Sequence, residues 1–203
     1  MCGIVAYIGG REVTPLLIEG LRRLEYRGYD SAGITVARNG GLETRKAVGK
    51  IAELENRLNG SGEGGALAGG TCGIAHTRWA THGAPTEGNA HPHTGNRGEV
   101  WVVHNGIIEN YGTLKKKLIE LGHEFATDTD TEVLAHLIEE AYEDSLEEAV
   151  RAALSQIEGT YGLAIMSSRE PGKIVGARKG SPLLVGIGEE GEYFLASDVA
   201  AVL

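Results

Sequence analysis

The sequence predicts a layered α+β sandwich, because strand-like segments lie near both ends of the chain and helix-like segments lie between them. The 203 residues are enough to bury a full core, as one large domain or at most two small ones. A content of 41% hydrophobic and 23% charged residues is typical of globular proteins. We find no internal repeat, which argues against an array of stacked units.

The first part of the chain is predicted to contain strands and one helix. Residues 2–8 form a short apolar run that indicates a buried strand, and residues 12–25 carry an apolar helical face. The residues of this face are Val13, Leu16, Leu17, Leu21 and Leu24. Two further strand-like runs, 34–38 and 42–48, flank Asn39-Gly40, a pair typical of a hairpin turn. Residues 59–70 include six glycines and indicate a surface loop.

The rest of the chain is predicted to add strands, then three helices, then strands again. Residues 72–79 and 100–104 have strand patterning. Asn110 and Asp130 each open a helix, and Ser145 begins a capping box before a third helix. Four short strands follow, separated by glycine- and proline-containing breakers. They are residues 161–167, 173–177, 183–186 and 193–196.

Composition excludes several classes of partner. The 28 acidic and 19 basic side chains give a formal charge of -9, so we expect no nucleic acid partner. No apolar run approaches the ~18 residues that a membrane span needs. The first residues show no basic region followed by an apolar core, so we expect no secretory signal. Cys2 and Cys72 lie far apart without a CxxC motif, which fits a reducing compartment. We therefore expect a cytoplasmic protein without a membrane partner.

Cys2 is the first candidate for chemistry, because it follows only the initiator methionine. Removal of Met1 would place a thiol nucleophile and an α-amine base on the same residue. A free α-amine titrates near ~7.7–8.0 and a thiol near ~8.5, so both lie close to neutral pH. The alternative is that Cys2 is a small core residue of the first strand. Cys72, in the middle of a predicted strand, is interpreted as structural.

Polar side chains crowd residues 77–83, where a predicted strand leads into a loop rich in glycine and proline. Such crowding at a strand end is typical of a binding site. The guanidinium of Arg78 has the geometry to hold a carboxylate through two parallel hydrogen bonds. From this segment alone, a surface salt bridge is the alternative.

Two further polar positions lie at the ends of predicted elements, and each leaves two interpretations open. The side-chain amide of Asn105 and the backbone N–H of Gly106 could together donate to an oxyanion. In isolation, a plain Asn-Gly turn is the simpler interpretation. The carboxylate of Asp130 could hold a substrate ammonium group, or it could simply cap the helix that follows.

Several histidines raise the question of a metal site. They are His76, His82, His91, His93 and His104. None of them has the helical HExxH spacing, and the chain has no CxxC pair. The run His91-Pro92-His93 cannot place two imidazoles at helical i, i+4 spacing. We therefore predict no metal site.

Taken together, these segments resemble the glutaminase domain of glutamine:fructose-6-phosphate amidotransferase, a class II glutamine amidotransferase. The resemblance runs nearly end to end. Its matching stretches are Cys2-Gly3-Ile4-Val5, residues 21–33 (LRRLEYRGYDSAG), 76–83 (HTRWATHG), 89–93 (NAHPH), 104–110 (HNGIIEN), 129–133 (TDTEV) and 196–198 (ASD). Other amidotransferases with an N-terminal cysteine share the opening Cys-Gly-Ile and an Asn-Gly pair, but the purine-pathway enzyme usually differs at 26–30 and 79–82. The resemblance implies a four-layer αββα sandwich of the N-terminal-nucleophile hydrolase type.

The resemblance also implies roles for single residues. It implies that Cys2 is the nucleophile, with its freed amine as base, and that Asn105 and Gly106 form the oxyanion hole. It implies that Arg78, Thr81 and His82 surround the α-carboxylate of glutamine and that Asp130 holds its α-amine. It also implies that Trp79 is a gate for ammonia and that Arg27 and Tyr29 belong to a loop that closes over the site. For His91 it implies no firm role.

The implied activity is hydrolysis of L-glutamine to glutamate and ammonia through a γ-glutamyl thioester at Cys2, without a metal or organic cofactor. In a full-length protein, expected to be a homo-oligomer, the ammonia would aminate fructose 6-phosphate to glucosamine 6-phosphate. Residues 1–203 are expected to form a glutaminase domain truncated at its C-terminus, with the sugar-phosphate isomerase half absent. Two alternatives stay open: the glutaminase half of another amidotransferase, and a catalytically silent glutamine-sensing domain that retains Met1.

Overall fold

The structure is a computed structural model that describes residues 2–59, 67–80 and 82–202. Its strands are β1 (Gly3–Ile8), β2 (Ser31–Arg38), β3 (Gly41–Val48), β4 (Cys72–Arg78), β5 (His93–Thr94), β6 (Val100–Ile108), β7 (Gly159–Ser167), β8 (Val175–Lys179), β9 (Leu184–Ile187) and β10 (Tyr193–Ala196). Its α-helices are α1 (Val13–Arg23), α2 (Ile51–Asn59), α3 (Tyr111–Glu120), α4 (Thr131–Ala141) and α5 (Leu146–Leu154). Short 3-10 helices follow at Glu25–Arg27 and Val199–Ala201.

The strands form two antiparallel sheets. The first sheet has the order β3-β2-β4-β1-β10-β9, and the second has the order β5-β6-β7-β8. Strand β1 therefore lies inside the first sheet, where Gly3 pairs with Thr77 of β4 and Val5 pairs with Ala196 of β10. This arrangement puts the N-terminal strand between two strands that come much later in the chain.

The sheets pack face to face, and the helices cover their outer faces. A core that includes Leu17 and Leu54 joins α1 and α2 to the first sheet, and a core that includes Leu134 and Val150 joins α4 and α5 to the second sheet. Between the sheets lies a third apolar cluster of side chains that alternate along their strands. Its buried members are Ile4, Ala6, Cys72, Ile74, Val103, Ala164, Met166 and Leu183. The predicted four-layer αββα sandwich is confirmed.

Several local predictions are also confirmed. Asn39 and Gly40 connect β2 to β3 with positive φ angles of 51° and 77°, as a tight hairpin turn requires. The hydroxyl of Ser145 accepts a hydrogen bond from the backbone N–H of Glu148 at 3.3 Å, so the predicted cap opens α5. Cys72 is buried in β4.

Several elements differ from the prediction, among them the short strand β5, which was not predicted. Strand β6 continues to Ile108 because β7 pairs with it along its whole length, so Asn105 and Gly106 lie within a strand and do not form a turn. Helix α2 was not predicted, although Ile51, Leu54 and Leu58 form its buried face. Of the predicted glycine-rich loop, residues 60–66 lie outside the described residues. Among the described helices, none is long and apolar enough to cross a membrane.

Candidate active site

A cavity of about 430 Å³ opens where the ends of β1 and β4 meet β6. Most of the residues proposed from the sequence line it: Cys2, Arg27, Arg78, Trp79, His82, Asn105, Gly106 and Asp130. Tyr29 is not among the lining residues, and Thr81 lies outside the described residues. The structure therefore brings together side chains that are as much as 128 positions apart in the sequence.

The thiol of Cys2 is held against the end of β4, because the pairing of β1 with β4 places Cys2 beside Arg78 and Trp79. The backbone N–H of Trp79 donates to Sγ at 3.2 Å, and Sγ lies 3.6 Å from the carbonyl oxygen of Trp79. Burial raises the pKa of the Cys2 thiol, and the hydrogen bond from Trp79 opposes this effect only in part. The thiol is therefore protonated at neutral pH and needs a base before it can attack.

Asn105 and Gly106 approach Cys2 from the second sheet. The Nδ2 of Asn105 donates to the carbonyl oxygen of Cys2 at 3.3 Å. Gly106 has a φ of 142°, and a Cβ at this position would lie 2.0 Å from the carbonyl oxygen of Thr160. Only glycine fits there. The predicted nucleophile and the two predicted oxyanion donors thus share one wall of the cavity, and the simple turn interpretation of Asn-Gly is wrong.

The guanidinium of Arg78 organises the loop that follows β4. Its side chain is buried, and it donates to the carbonyl oxygens of His82, Gly83 and Ala84, at 3.2 Å for Gly83 and 3.3 Å for Ala84. The carboxylate of Asp30 lies 3.9 Å away. Arg78 is therefore not part of a surface salt bridge. It supplies a buried positive charge at the cavity and fixes the loop that carries His82.

Asp130 supplies the opposite charge. It occupies the N-cap position of α4, but its side chain makes no capping hydrogen bond. Instead, Oδ2 accepts from the backbone N–H of Ile108 at 2.8 Å, and the residue is 5% exposed. The capping interpretation is therefore wrong for the carboxylate. A cavity with one buried cation and one buried anion is suited to an α-amino acid, which carries both charges itself.

The segment 25–30 lies over one side of the cavity. The indole of Trp79 is 54% exposed, and its ring would lie 2.8 Å from a Cβ at position 28, so the close approach requires Gly28. The guanidinium of Arg27 donates to the hydroxyl of Ser197 at 3.1 Å. Tyr29 faces away, and its hydroxyl accepts from the backbone N–H of Ile51 at 2.9 Å. The structure thus brings Arg27 to the site, and Tyr29 stays outside it.

The site also contains residues to which sequence reasoning gave no role. The Nε2 atom of His76 lies 3.0 Å from the Oδ1 atom of Asn105. His91 Nδ1 accepts from the backbone N–H of His104 at 3.2 Å. Ser181 and Pro182, for which the sequence analysis predicts no role, also line the cavity. His76 and His91 lie in the stretches that match the family, and this position was the sequence signal that could have pointed to them. Ser181 and Pro182 lie in none of these stretches, so no such signal pointed to them. In the described part of the chain, no cluster of His, Cys, Asp and Glu is arranged to hold a metal ion.

Comparison with known proteins identifies the family of this chain. A sequence model described as a glutamine amidotransferase domain matches residues 76–203. The chain is 55% identical over 207 residues to the glutamine–fructose-6-phosphate aminotransferase (isomerizing) of Chlorobaculum tepidum, covering 100% of this chain and 33% of that protein. It is 52% identical over 203 residues to the protein of the same name from Clostridium tetani, covering 100% and 32% respectively. The chain therefore spans about a third of the length of these relatives.

A solved structure supports the same relationship. Glutamine phosphoribosylpyrophosphate amidotransferase from B. subtilis superposes with a TM-score of 0.82 at 30% identity, over 98% of this chain and 42% of that chain. The family match covers more than half of the sequence, and the identities to the two relatives named above exceed 50% over the whole chain. This chain belongs to the family of glutamine amidotransferase domains.

Proposed function

We propose that this chain binds L-glutamine and hydrolyses it to glutamate and ammonia. The observation that carries the proposal is the meeting of four groups in one cavity: the thiol of Cys2, the amide of Asn105, the cation of Arg78 and the anion of Asp130. The charged pair matches the two ends of an α-amino acid, and the thiol with its neighbouring amide matches the chemistry of a carboxamide. The names of the relatives support glutamine as that amino acid.

The binding roles follow from the positions of the charges. Arg78 attracts the α-carboxylate, and the loop that it holds presents His82 beside it. We assign Thr81 to the same group by resemblance. The carboxylate of Asp130 takes the α-ammonium group. Trp79 stands at the mouth of the cavity, where its exposed ring is suited to control the exit of ammonia. Closure of the segment that carries Arg27 and Tyr29 would separate the bound glutamine from water.

The reaction then runs in two steps. After removal of Met1, the freed α-amine of Cys2 takes the thiol proton, and Sγ attacks the amide carbon of glutamine. The developing oxyanion is stabilised by the side-chain NH₂ of Asn105 and the backbone N–H of Gly106. The intermediate collapses, the proton passes to the leaving nitrogen, and ammonia departs from a γ-glutamyl thioester. Water then attacks the thioester, which releases glutamate and restores the thiol.

The wider activity of a full-length protein is also a proposal. The relatives are named glutamine–fructose-6-phosphate aminotransferases, so we propose that ammonia made here aminates fructose 6-phosphate to glucosamine 6-phosphate in a part of the protein that lies outside residues 1–203. We likewise propose that residues 1–203 belong to one glutaminase domain. A homo-oligomeric full-length protein and a cytoplasmic location stay predictions.

The first experiment tests the nucleophile. A glutamine analogue with a chloromethyl ketone in place of the carboxamide should alkylate Cys2 by displacement of chloride and should spare Cys72. Cys72 is 4% exposed, and burial raises the pKa of its thiol to about 12. Peptide mapping by mass spectrometry would locate the label, and excess glutamine should slow the labelling of Cys2.

The same sample separates the alternatives. Loss of Met1 in the intact mass, together with release of glutamate and ammonia in equal amounts, would support an enzyme. Labelling of Cys72 alone, or of both cysteines equally, would contradict the assignment of Cys2. A folded chain without Met1 that releases no glutamate would instead support the catalytically silent domain.

A second prediction concerns the carboxylate site. We expect Arg78→Lys to raise the KM for glutamine by roughly tenfold, because a point charge replaces a planar fork with two parallel donors. The kcat should change much less, since the guanidinium lies at the bound carboxylate and not at the reacting carbon. Steady-state glutaminase kinetics would measure both constants. The matched control is Arg22→Lys, because the guanidinium of Arg22 pairs with Glu55 on the surface. A fall in kcat at unchanged KM would contradict this role.

A further inference from the structure

The imidazole of His76 contacts the Asn105 amide but is not among the residues that line the cavity. His76 lies on β4 in the first sheet, on the same face as Cys72 and Ile74, and this face packs against the second sheet. Its Nε2 lies 3.0 Å from Oδ1 of Asn105, which reaches across from β6. On the other side of the same amide, Nδ2 donates to the carbonyl oxygen of Cys2 at 3.3 Å. The amide is therefore held from both ends.

The contact determines where the proton of the ring lies. An amide oxygen can only accept a hydrogen bond, so Nε2 must carry the hydrogen that joins it to Oδ1. Burial lowers the pKa of His76 to about 3, against a smaller opposing effect of its hydrogen bond to Asn105, so the ring is neutral near pH 7. The ring of His91 stacks on it at 4.2 Å between centroids and 12° between planes, which fixes its orientation.

The orientation of this amide matters because its two ends have opposite effects on an oxyanion. With NH₂ directed to the reacting carbonyl, Asn105 donates to the developing negative charge. With the amide turned by 180°, its oxygen would face that charge and repel it. The two orientations have nearly the same shape, so packing alone does not choose between them. A donor behind Oδ1 does choose.

We propose that His76 is a positioning residue that holds the Asn105 amide with its NH₂ toward the reacting carbonyl of the substrate. The inference rests on the proposed glutaminase function, in which Asn105 is an oxyanion donor. His76 itself touches no reacting atom in this scheme. It acts through Asn105 alone, so its effect on kcat should depend on the presence of Asn105. A general effect on folding would not depend on Asn105 in this way.

The kinetic test uses two substitutions. His76→Leu removes the donor, and we expect kcat to fall by roughly 10–100-fold, less than the loss of the oxyanion donor itself, with KM for glutamine within about threefold. His76→Gln places an amide NH₂ near the position of Nε2 and should restore most of kcat. Equal kcat for wild type and a folded His76→Leu, or no recovery in a folded His76→Gln, would overturn the proposal.

A double-mutant cycle separates positioning from folding. If His76 acts only through Asn105, His76→Leu should lower kcat no further when it is combined with Asn105→Ala. A full additional loss in the double variant would overturn the proposal. His123→Leu is the matched control, because His123 is also a buried imidazole bonded to another side chain, at 2.8 Å from His136, and lies outside the cavity. Its kcat should equal that of the wild type.

A measurement that needs no activity decides the orientation directly. Nitrogen-15 chemical shifts of the imidazoles, with the His76 signals assigned by their loss in His76→Gln, should show a neutral ring protonated on Nε2. Protonation on Nδ1 would turn Asn105 the other way and would overturn the proposal. A wild-type chain without glutaminase activity would instead overturn the proposed function, and the nitrogen shifts would still show whether His76 fixes the amide.

Discussion

Replacement of Asn105 by alanine should lower kcat for glutamine hydrolysis by roughly 10²–10³-fold, the usual effect of removing one oxyanion donor. The side chain lies beside Cys2, and its Nδ2 is already directed to that residue. Its hydrogen bond gains most strength when negative charge develops on the substrate oxygen, so glutamine binding should change little. The measurement is steady-state kinetics, with glutamate followed over a range of glutamine concentrations.

The control for this variant is Asn96→Ala. Asn96 also accepts a hydrogen bond through its amide oxygen, at 3.1 Å from the backbone nitrogen of Glu124, but it does not line the cavity. Its kcat should match the wild type. If Asn105→Ala raised KM and left kcat unchanged, Asn105 would be a binding group, and its assignment to the oxyanion hole would be wrong.

Replacement of Gly106 by alanine should have the second large effect, and it should act on stability as well as on rate. The added methyl group would lie 2.0 Å from the carbonyl oxygen of Thr160, and a φ of 142° is strained for any residue with a Cβ. Because the obstacle is backbone of the paired strand, β6 and β7 would have to separate locally. We expect the free energy of unfolding to fall by about 2–4 kcal/mol, and kcat to fall by about 10²-fold or more as the N–H leaves the oxyanion.

Urea unfolding followed by circular dichroism would give the stability, and glutaminase assays on the folded fraction would give kcat. Gly112→Ala is the matched control. Gly112 lies in α3, where a Cβ would meet no atom within 4 Å, so its stability should stay equal or rise slightly. A Gly106→Ala variant as stable and as active as the wild type would show that β6 and β7 accommodate a methyl group and that the Gly106 N–H is dispensable.

The elements with strong local signals were predictable from the sequence. The Asn39-Gly40 turn and the capped start of α5 depend on residues within a few positions of each other, so a linear pattern contains the necessary information. Helix α2 was missed because its pattern is too short to indicate a helix. Its apolar face has the right spacing, but nine residues beside a glycine-rich segment carry little signal.

The candidate site was predictable in its residue types and less so in its contacts. Asn105 and Gly106 have the local signature of a turn, and only the pairing of β6 with β7 extends the strand through them. The prediction that Asp130 begins a helix was correct, but its carboxylate accepts a hydrogen bond from the backbone N–H of Ile108, which belongs to another element. A single histidine in an apolar strand, such as His76, is indistinguishable from a core residue until its partner on the facing sheet is known.

The position of β1 has a consequence for the order in which the site can form during protein synthesis. Cys2 is synthesised well before the strands that hold it in place, because β1 needs β4 on one side and β10 on the other. The backbone N–H of Ile4 donates to the hydroxyl of Ser197, 193 residues later, at 2.9 Å. At 5–20 residues per second, roughly 10–40 s of translation separate the two residues.

A nascent chain therefore carries the Cys2 thiol long before the residues that surround this thiol have been made. Pairing over so great a separation is costly until most other contacts exist, so we expect β1 to settle late. Until translation has passed Ser197, we expect Cys2 to be an ordinary unactivated thiol that does not react with glutamine. The topology of the first sheet makes completion of this region a condition for activity.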